Sequence, residues 1–493
     1  MLNSSNMVYK LLAVGVIVLF LGMSVISSVA IDNEKKYLPI SDGNTLYVGG
    51  TGEGNYTKIQ DAIDKASDGD TVFVFDESSP YYENVLVDKR INLIGENRNT
   101  TVIYGMDVLY STVSIALDAD NALVSGFTIT NSTRGIGIAA NNNFVENNKI
   151  IFNYYGIKIY QDIRNNIITD NLILHNSHVG IYDECRDSTN TVKWNVIGSN
   201  GREAADPSPV KGGIFKHRCG GYFHHNDFDL NWGSNVHTDM SSWGIWDDGS
   251  EGNYWDDWNS NPGYPDTYII PAYPENQIDH YPNATPYFNH PIVCTESSYN
   301  AEPGEPIDFW VDVNKPSSSV SWFWEFGDGN TSNKKSPEHA YNKSGIYQIN
   351  VTITDNKGVS DTDRSTAYIG LPPDTPAIDG PTKGIPYQYY EYSIVANDSD
   401  SDYLHYHIYW GNGYDYIGPY PSGEVVKVGH AWRDEGNYTI RVQAIDETLK
   451  ESEWGTFDVI IPRGRMSVNS LFLWFLERFP LLERLLGLIL DTL

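Results

Sequence analysis

In the middle of the chain, short apolar runs alternate with Asn and Gly at a regular interval. One run begins at Phe127, and the next four begin at Asn148, Asn171, Asn195 and Asn226, so the steps are 21, 23, 24 and 31 residues. A period of about 22 residues that slips by one or two is typical of a solenoid, in which each repeat forms one turn of a stacked coil. Because the runs are short, β-branched and without helical period, the pattern predicts a parallel β-helix.

Asparagines recur where the predicted coils bend, at Asn147, Asn148, Asn165, Asn166 and Asn171. Asn tolerates the left-handed backbone that sharp corners need, and stacked amides can hydrogen-bond from coil to coil. These residues therefore indicate scaffold and not a ligand site. A longer interval at residues 201–211 predicts an external loop, and such loops are often where proteins bind their partners.

Residues 1–30 have the pattern of an export signal. Lys10 precedes the apolar run 11–21, and small residues at 28–30 form a plausible cleavage site. The alternative is an uncleaved anchor, because the apolar stretch is about long enough to span a bilayer. Both interpretations predict that the rest of the chain is exported.

Apolar residues at helical spacing predict a short amphipathic helix over residues 59–66, directly before the first coils. A β-helix has an open end whose core and backbone must be covered, and we expect this helix to be that cap. The segments 59–63, 68–72, 83–85 and 91–95 resemble the opening of NosD-type right-handed β-helix proteins, which share their fold with pectate lyases. The resemblance spans roughly residues 40–285 and implies a right-handed β-helix over 31–240; it is specific for fold and weak for activity.

Aromatic residues and prolines replace the repeat over residues 241–290. The rings are at Trp243, Trp246, Tyr254, Trp255, Trp258, Tyr264, Tyr268, Tyr273 and Tyr281. Flat rings of this kind can stack on sugars, or they can plug the C-terminal end of the solenoid and bury its core. Because a β-helix needs such a plug, we expect a C-terminal cap here.

Residues 291–371 resemble a polycystic-kidney-disease (PKD) domain, an immunoglobulin-like β-sandwich common in extracellular proteins. The resemblance rests on the segments 322–329, 339–341 and 345–355, with Glu325 where an Asp is usual. The segment 347–353 alternates apolar and polar residues, as a strand with one buried face does. A looser second copy over 372–463, marked by segments 410–413, 430–432 and 436–442, predicts a second PKD-like or immunoglobulin-like sandwich.

Three carboxylates alternate in one loop of this second sandwich, at Asp398, Asp400 and Asp402. Oxygen ligands crowded in this way can hold Ca²⁺. The pattern lacks an EF-hand, and a solvated acidic turn explains it equally well. Calcium is therefore a possible ligand, and no cofactor is required.

The tail, residues 464–493, is strongly apolar and has helical spacing at Phe475, Phe479, Leu482, Leu486 and Ile489. Its charges and its proline argue against an ordinary membrane span and favour an interfacial helix or a sorting and anchoring tail. It resembles apolar C-terminal segments of some archaeal surface proteins. Burial against another domain is the alternative.

The chain of 493 residues has a formal net charge of −31, which argues against nucleic-acid binding. The acidic residues are spread along the chain, which suits a solvated extracellular surface. Cation binding and adaptation to high salt are alternatives. Three cysteines exclude a disulfide scaffold. Cys185 and Cys219 fall at nearly equivalent places on successive coils, where a disulfide is compatible with the spacing, and this would leave Cys294 free.

The strongest case for catalysis lies in one polar stretch that contains His217, Arg218, His224, His225 and Asp227. Lyases and epimerases on this fold need a base and a cation to remove a proton beside a uronate carboxylate. Hydrolases need paired carboxylates instead. The same stretch could hold copper or zinc, or could be an ordinary solvated face, and it contains no recognisable family motif.

Nine sequons fit an exported glycoprotein, although chance produces some in any Asn/Thr-rich chain. They lie at Asn55, Asn99, Asn131, Asn283, Asn330, Asn342, Asn350, Asn397 and Asn437.

Together these features predict an all-β chain: a right-handed parallel β-helix followed by two immunoglobulin-like sandwiches, between an N-terminal signal and a short C-terminal hydrophobic helix. We expect an exported, non-enzymatic surface protein that works in adhesion, carbohydrate binding or envelope structure, and whose partners are surface glycans or other envelope proteins. It would be held at the membrane by its tail or by an uncleaved N-terminus. The alternative is an enzyme acting on acidic polysaccharides. A groove containing His217, Arg218 and carboxylates would favour the enzyme, whereas a flat aromatic or Asn-rich face would favour binding.

Overall fold

The structure is a computed structural model that describes residues 43–106, 112–184, 189–202, 211–217, 220–239, 242–272, 275–288, 290–314, 320–401 and 403–462. Several predicted features lie outside these residues. They are the signal segment, Cys185, Arg218, Cys219, Asp402, most of the predicted 201–211 loop and the hydrophobic tail.

The first half of the chain is built from short strands with one helix near its start. In chain order the elements are β1 (Thr45–Val48), α1 (Ile59–Lys65), β2 (Thr71–Val74), β3 (Tyr81–Tyr82), β4 (Val85–Val87), β5 (Asn92–Gly95), β6 (Val102–Tyr104), β7 (Val113–Leu117), β8 (Leu123–Ser125), β9 (Thr128–Thr130), β10 (Arg134–Ile138), β11 (Phe144–Glu146), β12 (Lys149–Ile151), β13 (Tyr155–Ile159), β14 (Ile167–Thr169), β15 (Leu172–Leu174), β16 (Val179–Asp183), β17 (Thr191–Lys193), β18 (Val196–Gly198), β19 (Gly212–His217), β20 (Tyr222–His224), β21 (Asp227–Asp229), β22 (Ser234–Asp239), β23 (Tyr254–Trp255), β24 (Tyr268–Ile270) and β25 (Gln277–Asp279). Short 3₁₀ turns lie at Asp76–Ser78 and Trp258–Ser260.

These strands form three parallel sheets that run along the solenoid. Sheet A has the order β1-β2-β5-β8-β11-β14-β17-β20, sheet B has β23-β21-β18-β15-β12-β9-β6-β3, and sheet C has β22-β19-β16-β13-β10-β7-β4. From β7 to β22, each coil contributes one strand to each sheet. The parallel β-helix predicted from the spacing is therefore confirmed, and so is the right-handed coil that the family resemblance implied.

The inward side chains of successive coils lie directly above one another. In sheet C, Ile136 pairs with Ile157, Ile157 with Ile181, and Ile181 with Ile214. All four are at most 1% exposed. The sequence repeats a Gly-Ile phrase at 135–136, 156–157, 180–181 and 213–214, and its isoleucines form this inner row of sheet C. They build a continuous apolar core along the axis.

Buried asparagine ladders run along the corners of the solenoid. In the ladder between sheets A and B, Oδ1 of Asn195 accepts hydrogen bonds from the backbone N and Nδ2 of Asn171, both at 3.0 Å. Asn195 in turn donates through its backbone N (3.1 Å) and Nδ2 (3.0 Å) to Oδ1 of Asn226. The full ladder is Asn148, Asn171, Asn195, Asn226 and Asn253. Two further ladders run through Asn153, Asn176, Asn200 and Asn231, and through Asn143, Asn166 and Asn190.

A carboxylate ends the first ladder. Asp279 Oδ2 accepts from the backbone N of Asn253 (2.8 Å) and from Nε1 of Trp255 (2.9 Å), while Oδ1 accepts from the backbone N of Tyr281 (3.0 Å). An amide here would need an acceptor for its own N–H groups, and a carboxylate needs none. Asp279 is fully buried, and burial raises its pKa to about 6 even though these donors lower it.

Helix α1 covers the N-terminal end of the core. Its buried face, Ile59, Ala62 and Ile63, packs into the core cluster of the first coils. Glu83 accepts hydrogen bonds from the first backbone N–H groups of α1, and Lys89 Nζ donates to three carbonyls at its last turn. Both charges have the sign that stabilises a helix end.

Aromatic rings close the other end of the core. Trp255 stacks between Phe228 at 4.4 Å and Tyr268 at 4.1 Å, and Trp246 stacks on Phe223 at 4.7 Å. Beyond them, β24 and β25 form an antiparallel hairpin. Trp243, Tyr264 and Tyr281 of the same stretch are instead exposed.

Two β-sandwiches follow the solenoid. The first contains β26 (Val293–Thr295), β27 (Ser298–Ala301), β28 (Pro306–Asp308), β29 (Val311–Val313), β30 (Val320–Glu325), β31 (Thr331–Ser332), β32 (Glu338–Ala340), β33 (Gly345–Asp355) and β34 (Ser360–Ile369). The second contains β35 (Ala377–Asp379), β36 (Tyr390–Val395), β37 (Tyr403–Tyr409), β38 (Tyr414–Pro421), β39 (Val426–His430), β40 (Gly436–Asp446) and β41 (Gly455–Ile461). Its sheets have the orders β35-β36-β39 and β38-β37-β40-β41, and each sandwich has its own aromatic-rich core.

The first sandwich begins on the flank of the solenoid. Outward residues of sheet B, including Leu174 and Val196, are apolar and buried, and Ile292 covers them. Gly198 makes room for this contact, because a Cβ there would lie 2.7 Å from Ile292 Cδ1. Outward positions of a solenoid are usually solvated, so this apolar patch is an interface with the sandwich.

A buried charged cluster joins the same two domains. His175, at a corner of the solenoid, lies 3.0 Å from Asp361 and 3.3 Å from Asp363 on β34. Arg202 also pairs with Asp363 and donates to the carbonyls of Glu296 and Arg364. Burial lowers the pKa of His175, but the two carboxylates outweigh this effect and raise it. The pKa of Asp361, which burial raises, is held well below its usual range by His175.

The amide ladder predicts a large effect of a single substitution in its interior. Asn195→Ala removes the acceptor of two Asn171 donors and the donor to the carbonyl of Ile168. Because each buried unsatisfied group costs about 1–3 kcal/mol, we expect the free energy of unfolding to fall by roughly 3–5 kcal/mol. Chemical denaturation measures this change. The exposed Asn99→Ala is the matched control and should change stability by less than about 0.5 kcal/mol. Equal effects of the two substitutions would contradict the role of the ladder.

The raised pKa of Asp279 predicts a pH-dependent difference between the protein and its Asp279→Asn variant. In the folded state this carboxyl titrates near pH 6, whereas in the unfolded chain it titrates near pH 4. Ionisation therefore opposes folding, and this contribution to stability is lost as the pH rises from about 4 to 6. The variant does not titrate, so its stability relative to the unmodified protein should increase by roughly 2–3 kcal/mol between pH 4 and pH 7. A pH-independent difference in denaturation midpoints would contradict it.

Candidate functional site

The outer face of sheet C carries a row of aromatic and cationic side chains. Strand register places Lys158, Tyr182, Phe215 and His237 at the same outward position of four successive coils. The Tyr182 and Phe215 rings are 4.9 Å apart, and the Phe215 and His237 rings 5.5 Å. These distances match the spacing of neighbouring strands. The row is therefore a direct product of the coil register.

Lys158, at one end of this row, lies close to three tyrosine rings. Its Nζ lies 4.9 Å from the ring centroid of Tyr182, 5.4 Å from that of Tyr160 and 5.8 Å from that of Tyr155. It also forms a 3.0 Å ion pair with Glu184. Lys158, the three Tyr rings and His237 are partly exposed, whereas Phe215 is buried, at 4% exposure. We call Tyr155, Lys158, Tyr160, Tyr182, Phe215 and His237 the sheet C row.

The predicted catalytic residues lie on different sheets of the solenoid. His217 ends β19 in sheet C, with its ring 6.4 Å from that of Phe215. His224 ends β20 in sheet A, and His225 occupies the following corner. Asp227 begins β21 in sheet B, while Arg218 lies outside the described residues. One coil distributes its residues around the whole perimeter, so neighbours in sequence point to different faces.

Two members of this set that lie outside sheet C, His225 and Asp227, make structural contacts. The His225 ring stacks on Trp194 at 4.2 Å, and its Nε2 lies 3.2 Å from Oε2 of Glu251. Asp227 is buried and accepts hydrogen bonds from the backbone N–H groups of Tyr287 and Phe288, both at 2.8 Å. Asp227 thus fixes the segment that leads to the first sandwich. The described residues do not assemble the base and cation of a lyase from this set.

In the structure, a carboxylate that the sequence did not indicate joins the acidic loop of the second sandwich. The ligand oxygens of Asp398, Asp400 and Asp446 all lie within 4.8 Å of one another. Asp446 comes from the end of β40, whereas the predicted Asp402 lies outside the described residues. Oδ2 of Asp398 and Oδ1 of Asp400 are buried without a hydrogen-bond partner in the described part of the chain. Burial and the neighbouring Asp400 raise the pKa of Asp398 to about 6.

The acidic loop also contacts the first sandwich. Asp400 Oδ2 accepts a hydrogen bond from the hydroxyl of Ser344 and one of 3.0 Å from the backbone N of Leu371. An ion bound by Asp400 would therefore lie beside the contact between the two sandwiches. Because of these hydrogen bonds, the loop around Asp400 differs from an ordinary solvated turn.

None of the nine sequon asparagines is buried. Asn99, Asn131, Asn330, Asn342, Asn397 and Asn437 are exposed, and Asn55, Asn283 and Asn350 are partly exposed. Cys294, expected to be free, is buried with its Sγ accepting a hydrogen bond from Nε1 of Trp232 at 3.1 Å, and burial raises the pKa of its thiol. The proposed Cys185–Cys219 pair lies outside the described residues.

Sequence reasoning missed the sheet C row because its members are 22 to 33 residues apart, as their positions 158, 182, 215 and 237 show. The signal that could have found it is the register itself. Counting from each Gly-Ile phrase to the residue after the Ile gives Lys158, Tyr182 and Phe215. Among the described residues, no helix is long and apolar enough to cross a bilayer.

Comparison with known proteins identifies two regions of the chain. Residues 90–246 match the family model described as right handed beta helix region, and residues 289–370 match that of the PKD domain. The chain is 43% identical over 53 residues to the pre-pro-metalloprotease PrtV of Vibrio cholerae, a match covering 11% of this chain and 6% of that protein. It is 30% identical over 86 residues to collagenase ColA of Bacillus cereus, covering 17% and 9%.

Among solved structures, the PKD domain of an M14-like peptidase from Thermoplasmatales archaeon SCGC AB-540-F20 is 41% identical, with 19% of this chain and 99% of that chain covered and a TM-score of 0.19. The chain spans less than a tenth of the length of the two curated relatives. These matches concern domains, and not whole proteins. The chain therefore carries a right-handed β-helix region followed by a PKD domain.

Proposed function

We propose that this chain is an extracellular carbohydrate-binding protein whose solenoid binds a polysaccharide along the sheet C row. The observation that carries the proposal is the alignment on successive coils of the partly exposed Lys158, Tyr182 and His237, with the buried ring of Phe215 between the last two. A polysaccharide is an extended, repeating ligand. A solenoid face that repeats the same kind of side chain along its axis suits such a ligand.

The chemistry of the row supports a sugar. Tyrosine rings offer apolar faces to the C–H groups of a pyranose and hydroxyls at their edges. The ion pair of Lys158 with Glu184 places a donor and an acceptor beside the rings. The rings are tilted to one another, by 46° between Tyr182 and Phe215 and by 63° between Tyr155 and Tyr182, and an aromatic surface of this kind supports a binding role.

The positions of the polar residues favour binding over catalysis. A lyase or epimerase needs its base and its charge-stabilising cation within reach of one sugar. His217 lies in sheet C, whereas His225 is held at the corner between sheets A and B, and Asp227 binds backbone N–H groups. Polysaccharide chemistry at this stretch is therefore the weaker interpretation.

Several observations support an extracellular location. The chain contains a PKD domain, and its curated relatives include a pre-pro-metalloprotease and collagenases. The sequence begins with a signal-like segment, and every sequon asparagine is at least partly accessible. We also propose that the chain is attached to the membrane, through its tail or through an uncleaved N-terminus. It would also contact other envelope proteins.

A glycan array probed with the full chain tests the proposal. We expect binding to one class of polysaccharide, and Tyr182→Ala should weaken it by about tenfold, because it removes the ring at the centre of the row. Tyr82→Ala removes a ring that is 60% exposed on the outer face of sheet B, and is the matched control. Loss of binding in the control but not in Tyr182→Ala, or no binding by the unmodified chain, would overturn the proposal.

We also propose that the cluster of Asp398, Asp400 and Asp446 binds Ca²⁺. Three carboxylates whose oxygens lie within 4.8 Å suit a hard cation that takes oxygen ligands. Two buried carboxylate oxygens without hydrogen-bond partners support this assignment. The ion would offset the repulsion that raises the pKa of Asp398.

Calcium should therefore raise the melting temperature of the protein. At about 1 mM Ca²⁺ we expect an increase of roughly 3–6 °C over chelator, since an ion that binds only the folded state stabilises it. Asp400→Asn should abolish most of the increase, and the exposed Asp434→Asn should retain it. The increase should also shrink below about pH 6, because Asp398 must lose its proton to bind the ion. An identical melting temperature with and without Ca²⁺ would contradict the site.

A further inference from the structure

The second sandwich exposes an aromatic surface on the outer face of its four-stranded sheet. Side chains of β37 alternate between the core and this face, with Leu404, Tyr406 and Ile408 buried. Their outward neighbours are His405, His407 and Tyr409. On the adjacent strand β38, Tyr414 and Tyr416 are 64% and 62% exposed. Tyrosines this accessible contribute little to the fold.

The rings of neighbouring strands lie in two matched pairs. Tyr409 is directly opposite Tyr414, and His407 is directly opposite Tyr416. The rings of Tyr409 and Tyr414 are 4.7 Å apart. The ring of Tyr416 stacks on His405 at 5.4 Å and an interplanar angle of 12°. One face of Tyr416 is therefore supported by the sheet, and its high exposure places the other face toward solvent.

A cation completes this surface. Arg441 on β40 is opposite Tyr409, and its guanidinium lies 4.7 Å from the ring of Tyr409 and 5.6 Å from the ring of Trp454. In the described part of the chain, no carboxylate lies within ion-pair distance of Arg441. Contact with two rings restricts the guanidinium, and Arg441 is exposed to solvent. We call Tyr409, Tyr414, Tyr416, Arg441 and Trp454, together with His405 and His407, the sandwich platform.

We propose that the sandwich platform is a second polysaccharide-binding site, separate from the sheet C row, and that its ligand is a uronate-containing chain. The seven residues that form it are aromatic or charged, and none is aliphatic, which suits sugar rings better than the apolar core of a protein interface. Arg441 matches a carboxylate in charge and in its planar donor geometry. The proposal rests on the exposed rings of this sheet, and does not depend on the function proposed for the solenoid.

The net charge of the whole chain supports placing the binding site for an acidic polysaccharide at this surface. A net charge of −31 opposes non-specific adsorption of an acidic polymer. Binding of such a polymer therefore needs a local cation beside a stacking surface. Arg441, Tyr414 and Tyr416 provide this combination. Two sites on one chain would also raise the avidity for a long polysaccharide.

Affinity electrophoresis and calorimetry with the full chain test the proposal, using a polygalacturonate fragment and a neutral β-glucan fragment of similar length as probes. We expect the unmodified chain to bind the polygalacturonate fragment. Tyr416→Ala and Tyr414→Ala should each weaken this binding by about tenfold. Arg441→Gln should weaken it similarly and leave any weak binding of the neutral fragment unchanged, because only the acidic sugar pairs with the guanidinium.

Matched variants separate the two sites and control for folding. Tyr389→Ala removes a ring that is 67% exposed and covers Gly429 on the other sheet of the same sandwich, and it should leave affinity unchanged. Each variant is also measured in a Tyr182→Ala background, so loss of the solenoid site and loss of the platform are scored independently. Melting temperatures equal to that of the unmodified chain show that the sandwich is intact.

Three results would overturn the assignment. The first is a failure of the polygalacturonate fragment to bind in the Tyr182→Ala background. The second is undiminished affinity after Tyr414→Ala and Tyr416→Ala. The third is displacement of the bound fragment by a protein ligand such as gelatin that itself requires Tyr416, which would show that the platform recognises polypeptide. Equal loss of both probes in Arg441→Gln would overturn the choice of an acidic sugar.

Discussion

The hydrogen bond from one buried amide to the next is the interaction on which the rest of this structure depends. The interior residues of the first ladder, Asn171, Asn195 and Asn226, each receive two hydrogen bonds from the preceding coil and give two to the next. A shift of register by one residue would place every inward side chain on the outer face. The ladders oppose such a shift because they would leave buried amides unpaired. They therefore set the alignment of coils whose lengths vary, including the long step from Asn195 to Asn226.

This register also determines where function can arise. Residues only seven positions apart, such as His217 and His224, lie on different sheets, whereas residues a full coil apart, such as Lys158 and Tyr182, lie side by side. Local motifs are therefore a poor guide to binding sites on a solenoid. Rows along the axis are the natural units of its surface chemistry. In the second sandwich, antiparallel pairing of strands likewise brings distant residues together, since Tyr409 lies directly opposite Tyr414.

The sequence predicted the fold well because the period, the Gly-Ile phrase and the corner asparagines are local and repeated. It also pointed to Asp398 and Asp400, which are close in the chain. It could not predict Asp446, since that carboxylate reaches the loop only through the pairing of β37 with β40. Nor did it predict that Asp279 would end an asparagine ladder, because the position carries no repeat signal. What sequence reasoning missed consists of contacts between distant segments, which periodicity does not encode.

The docking of the first sandwich decides which surfaces remain available. Ile292 covers the apolar outward row of sheet B, and His175 fixes the sandwich through Asp361 and Asp363. The raised pKa of His175 gives stabilisation that is present below about pH 6.5 and is lost as the pH rises through its folded value. The depressed pKa of Asp361 gives stabilisation that is present above about pH 4 and is lost in stronger acid. The interface is therefore firmest in mildly acidic to neutral conditions. The sandwich covers only this part of sheet B, and the sheet C row and the outer face of the four-stranded sheet of the second sandwich are among the aromatic surfaces that it leaves uncovered in the described part of the chain.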